Sequence, residues 1–229
     1  MAKKQPFLTL RSLQPKKYLI VTGGLIALAV FLHIAVEVGR VYFGSEEITS
    51  LDLDSESSFG TWLSIIMMVI AAFAAYELSF HKNTFTLHWK LFAFFLLGLS
   101  LDDEMAIHER SGQYADALNL PQIGGRSWLI WGILILIIAV CFFWRFFWQM
   151  RKPLRNMLIV GFAIFFLGAF GIEGTTDTWA ALAKSVSGGY GDKFHYAVAL
   201  EEGLEMLGML LFSYALIREL DYTARHAVK

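Results

Sequence analysis

The chain has one cysteine, four prolines and few charges, and each shortage closes off a class of protein. A lone Cys141 makes no internal disulfide and builds no thiolate metal site; placed in the middle of an apolar run, it reads as a small buried hydrophobe. Only 17% of the residues are charged, the formal net charge is −1, and no basic tract occurs, so no nucleic-acid partner is expected. No proline interrupts a long apolar run, and there is no internal repeat, which leaves little sign of the broken helices and duplicated halves of many transporters.

What the chain has in abundance is hydrophobic length. It is 56% hydrophobic with a mean hydropathy of +0.53, well outside the range of a soluble domain. The 229 residues form one integral membrane domain, an all-α helix bundle with no room for a separate soluble domain. Six transmembrane spans are predicted, at about 18–42, 59–79, 89–109, 128–150, 154–177 and 194–217. The first run is too long, and lacks the cleavage pattern, for a signal peptide. Short turns at 81–88 and 151–153 alternate with longer polar loops at 43–58, 110–127 and 178–193.

Charge distribution orients the bundle. Every Lys and Arg except Arg40, Arg110, Arg126, Lys184 and Lys193 falls with the termini and short turns, so both termini are expected in the cytoplasm. All acids except Glu77, Glu219 and Asp221 fall in the opposite half. Acids do not orient membrane proteins, so their bias needs its own explanation. Glu77, His81 and His88 are expected to face solvent or headgroups. The acids of the first long loop, Glu46, Glu47, Asp52, Asp54 and Glu56, form a solvated surface able to concentrate cations.

Many of the outer acids lie inside apolar helices. At ~1.5 Å per residue, Asp102 to Glu104 lie roughly 20 Å along the third span, with His108 and Glu109 near 28 Å; Glu201 and Glu202 lie about 10 Å, and Glu205 about 16 Å, into the sixth. Antiparallel helices thus bring carboxylates to one depth. His33 and Glu37 on the first span, and Glu173 and Asp177 on the fifth, share the four-residue spacing of one helix face. Gly168, Gly171 and Gly174 recur at the spacing of close helix packing. A central charge carries a penalty of roughly 3 kcal/mol, so the group must be offset by protonation, ion pairing, water or a cation. Arg40 and Arg110 are too few to pair with all of it.

The residue types suit a divalent transition metal, iron, manganese or zinc, as one or two ions. Expected ligands are Asp102, Glu104, His108, Glu109, His195, Glu201, Glu202 and Glu205, with His33, Glu37, Glu173, Asp177, Arg40 and Arg110 behind them. The site would face the extracytoplasmic side and serve a metal-dependent membrane enzyme, of hydrolase or di-metal oxidase type, acting on a lipid-like or membrane-delivered substrate. The Glu-x-x-His spacing of helix-bundle di-iron proteins is absent, since Glu104 and His108 are four apart. Alternatives are a cation or proton transporter using the same cluster, a b-type haem protein using two of His33, His108 and His195, and a structural membrane subunit.

Overall fold

The computed structural model describes residues 9–10, 12–46, 48–55, 57–81, 84–118, 121, 127–172 and 193–226, excluding the side chains of Val41, Glu109 and Lys193 to His195. Within them all regular structure is helical. The helices are α1 (Pro15–Phe43), α2 (Phe59–His81), α3 (Thr86–Met105), α4 (Ile107–Ala117), α5 (Trp128–Gln149), α6 (Lys152–Phe166) and α7 (Lys193–His226). A 3-10 turn, Thr49–Leu51, lies between α1 and α2, and α6 continues as a π-helical turn, Leu167–Ile172.

Local chemistry sets several of these ends. α1 begins with Pro15 in its first turn, where the missing N–H would have had no helical partner. It stops at Gly44, whose left-handed φ of 64° favours glycine, and its final carbonyls accept from the Gly44 N–H (Arg40, 3.2 Å) and the Ser45 N–H (Gly39, 3.3 Å). Pro153 similarly opens α6.

The centre of the bundle is α7, which packs on α1, α2, α6 and the π-helical turn, while α3 packs chiefly on α2. Three pairings register α1 antiparallel to α7. The Tyr18 and Ser213 hydroxyls bond at 2.7 Å, Gly23 faces Leu210, and Gly203 faces Val30. α6 lies against α7 almost backbone to backbone. A Cβ on Gly208 would lie 2.7 Å from the Gly161 carbonyl oxygen, and one on Gly168 would lie 2.8 Å from the Glu201 carbonyl oxygen and the Glu205 Cγ. The expected packing role of Gly168 is therefore present; a Cβ on Gly171 would lie 3.1 Å from Leu167 of its own turn, and Gly174 lies outside the described residues.

The core has two parts. One is aromatic, with Phe92 of α3 meeting Phe143 and Phe146 of α5 and Phe212 of α7. The other is built of Ile26 and Ala29 of α1, Leu63, Met67 and Met68 of α2, and Met206, Met209 and Leu210 of α7.

Among the described residues, four helical stretches are long and apolar enough to cross a membrane: Pro15–Arg40, Phe59–His81, Trp128–Gln149 and Lys152–Ile172. Much of α5 turns large apolar side chains outward, including Trp131, Ile135 and Ile138. The two remaining predicted spans correspond to α3 and α7, the helices that carry the internal acids.

Several expectations need correction. The third span is not one continuous helix over 89–109: α3 ends at Met105, Ala106 adopts a left-handed φ of 46°, and α4 starts at Ile107. The depths of His108 and Glu109, counted along one uninterrupted helix, therefore do not carry across that break. Much of the expected 110–127 loop is helical as α4. Cys141 is exposed on α5, not buried. Glu77 is 1% exposed, facing neither solvent nor headgroups, because its carboxylate accepts from the Thr9 hydroxyl and the Leu10 N–H, both at 2.7 Å. Asp52 is not simply solvated, since the α1–α2 loop folds back and inserts Leu53 into the core.

Candidate functional site

Toward the end of the bundle where α1 finishes and α7 begins, taken here as outward, the described polar residues fall into two groups on different helices. The first lies along the α1–α7 seam. His33 is 0% exposed, Glu37 4% and Glu201 8%, with Glu202 and Glu205 half-buried. From the Val30–Gly203 crossing, His33 lies ~4.5 Å further outward on α1, and Glu202 and Glu201 lie ~1.5 and ~3 Å outward on α7, so they share one level. Glu205 lies ~3 Å inward, with its stem beside Gly168 of the π-helical turn. Glu37 is another turn outward and is ion-paired with Arg40 at 2.8 Å, involving one of the two arginines considered as partners.

The α1–α2 loop covers this seam. The Leu53 N–H donates to His33 Nδ1 at 3.1 Å, while Asp52 Oδ1 lies 3.3 Å from the same nitrogen. These contacts compete, because a ring nitrogen that accepts from an amide has no proton for a carboxylate. The amide contact is the shorter of the two and uses Nδ1 as acceptor. The Asp52 contact becomes a hydrogen bond only when Nδ1 carries a proton.

The second group sits at the α3–α4 break. Asp102 Oδ1 accepts from the His108 N–H at 2.9 Å, and its Oδ2 lies 3.1 Å from His108 Nδ1. The carboxylate thereby satisfies one of the free N–H groups at the start of α4. The Trp128 ring approaches His108 edge-on, with centroids 4.8 Å apart. Glu104 and Arg110 are exposed, and Asp103 is partly buried.

The predicted ligands are thus distributed unevenly. Glu201, Glu202 and His33 share one level on adjoining helices, with Glu205 about a turn inward and Glu37 about a turn outward. Asp102 and His108 meet each other on α3 and α4. The His195 backbone is in the first turn of α7, while its side chain and that of Glu109 lie outside the described residues, as do Glu173 and Asp177 entirely. Among the described residues no three His, Cys, Asp or Glu side chains are gathered closely enough to hold a metal ion.

Sequence reasoning missed three features. These are the Leu53 and Asp52 contacts to His33, the grip of residues 9 and 10 on Glu77, and the pairing of Arg151 with Glu219. In the last, Arg151 Nε and Nη2 hold the Glu219 carboxylate at 2.8–3.1 Å. The guanidinium also stacks over Tyr222 at 3.3 Å, and its pKa is pushed further above the ordinary arginine value by the hydrogen bonds to Glu219. Glu219 is 2% exposed. The available clue was that Glu219 is one of the few acids on the side that carries the basic 151–153 turn.

Long apolar helices packed around α7, with ionisable groups buried between them, define a helical-bundle membrane protein. The chain belongs to a family described as a domain of unknown function (DUF8692), whose profile matches residues 12–219. No curated protein and no solved structure matches it.

Proposed function

We propose that the chain is a six-span membrane protein, with α3 and α7 completing the spans and both termini cytoplasmic, and that its outer carboxylate and imidazole layer binds a divalent transition metal for a membrane enzyme. The observation that carries this reading is the burial of His33, Glu37 and Glu201 on two registered antiparallel helices. Buried ionisable groups at bilayer depth require partners, and they concentrate at functional sites. Glu201, Glu202 and Glu205 are the proposed core ligands, with His33 contributing Nε2 in the tautomer that carries its proton on Nδ1, where Asp52 Oδ1 lies 3.3 Å away to accept it. His195, Glu173 and Asp177 are the groups proposed to complete the set. Asp102, Glu104, His108 and Glu109 belong to the entrance at the α3–α4 break.

Iron, manganese or zinc matches this oxygen and nitrogen donor set. Such a metal supplies Lewis-acid activation of water for hydrolysis, or oxygen chemistry at a paired site. One glutamate serves as proton acceptor. The depth of the layer favours a lipid-like substrate arriving through the membrane plane.

An enzyme fits better than a transporter because an apolar floor lies beneath the layer. From Val30 inward to Thr22 the α1–α7 seam is lined by Ile26, Ala29, Met206, Met209 and Leu210, a stretch of ~12 Å, and Met67 and Met68 of α2 join it. Access from one side suits catalysis, whereas alternating access needs a polar route through both halves.

The test is elemental analysis of protein purified in mild detergent without chelator, beside a Glu202→Gln/Glu205→Gln variant. Near-stoichiometric iron, manganese or zinc, lost in a variant that still folds, is the expected result. No metal in the native chain after attempted reconstitution with all three would overturn the metal reading.

A further inference from the structure

At the other end of the bundle, the α5–α6 turn combines exposed tryptophans with cations that no described acid pairs. Arg145, Lys152 and Arg155 have no acidic partner among the described residues. The nearby acids of α7 are already engaged: Glu219 is held by Arg151, and Asp221 by Arg225 at 2.9 Å. Among the described residues they leave Arg145, Lys152 and Arg155 without an acidic partner.

The cations sit on an ordered frame. Arg155 Nη1 donates to the Trp148 carbonyl at 3.3 Å, and its guanidinium lies over the Trp148 ring, 4.4 Å from the centroid. Trp144 meets Trp148 edge-on at 5.6 Å, and both rings are exposed. On the α5 wheel Arg145 lies opposite the buried Phe143 and adjacent to Trp148 in angle, so cations and tryptophans share the outward side of the hairpin. Lys152 opens α6, whose first turn has neither a side-chain cap nor an acidic residue, leaving the positive end of the helix dipole unopposed.

We infer that this outward face of the α5–α6 hairpin binds the phosphate headgroup of an anionic phospholipid, with Lys152, Arg155 and Arg145 on the phosphate and the Trp144–Trp148 pair against the glycerol and upper acyl chain. Charge complementarity selects the occupant: unpaired cations at a helix end favour an anion, and exposed indoles beside them favour one that carries an apolar body at the membrane interface. On the topology proposed above, the face meets the cytoplasmic leaflet, where anionic lipids concentrate. The inference is independent of any metal in the opposite half.

Native mass spectrometry of the full-length protein in detergent, with phosphatidylglycerol and phosphatidylcholine of matched chains, tests it. The native chain is expected to retain phosphatidylglycerol roughly tenfold better than phosphatidylcholine, and Lys152→Gln/Arg155→Gln to bring the two close to parity. Equal retention of the two lipids by the native chain, or undiminished selectivity in the double variant, overturns the site. Displacement of phosphatidylglycerol by millimolar inorganic phosphate overturns the lipid assignment in favour of a free anion. If the double variant does not fold, Arg145→Gln, on the exposed side, takes its place: severalfold lower selectivity supports the site, and native selectivity overturns it.

Discussion

Glu77 and Glu219 are nearly fully buried, and each has its partner supplied from about 68 positions away in the chain. Thr9 and Leu10 donate to one, Arg151 to the other. Deleting the partner of a buried acid leaves a carboxylate that protein no longer solvates, which is more damaging than deleting the pair. Arg151→Ala is therefore expected to destabilise the fold by about 2–3 kcal/mol, below the usual buried-pair cost because the arginine is partly exposed. Thermal unfolding in detergent measures it. The sign of the pH dependence follows from the raised pKa of Arg151. Its contribution is fully present below the unfolded arginine value and is lost only as pH rises through the still higher folded value. The stability difference between native and Arg151→Ala protein due to this group's titration should thus be flat from about pH 6 to 9.

Among the helices, α7 does most to organise the molecule, since it touches α1, α2, α6 and the π-helical turn. Its closest approach is at Gly208, where a Cβ would lie 2.6 Å from the Phe165 nitrogen. Backbone at that distance has no flexible end to swing away. Gly208→Ala is expected to force α6 outward at a cost of about 1–3 kcal/mol, read as a lower melting temperature in detergent. The small-residue spacing in the sequence pointed to this kind of packing, and Gly168 takes part in it. The partner residues on α7 were not legible, because the spacing describes one helix and says nothing of what it meets. The α3–α4 break was equally hidden. Ala106 has no glycine or proline signal, and its left-handed backbone is accompanied by the Asp102 carboxylate bonding across the break to His108.

For the molecule as a whole, the membrane assignment rests on outward-facing apolar surface. Ile138 is near the middle of α5 and 59% exposed. Ile138→Lys is expected to cost about 2.5–3.5 kcal/mol of insertion, lowering the membrane-integrated fraction in a glycosylation-based insertion assay. The same substitution on a water-facing helix would leave expression and integration unchanged, so the assay separates the two settings.

Hydropathy is a local sum along the chain, and for that reason the long apolar helices, the tight hairpin at 151–153 and the uneven placement of acids were all readable from residue order. Helical periodicity likewise placed His33 with Glu37 on one face, and residue spacing placed Glu201, Glu202 and Glu205 at their depths in the sixth span. Which faces meet is a different kind of quantity, since it depends on contacts between residues far apart in sequence. Leu53 reaches His33 only because the α1–α2 loop folds back over the seam. The acids of α3 and α7 were assigned one layer by depth alone, yet α3 packs chiefly on α2, and Asp102 finds His108 instead. Depth follows from residue spacing, whereas lateral neighbourhood follows from side-chain packing around α7, and that is where the two descriptions part.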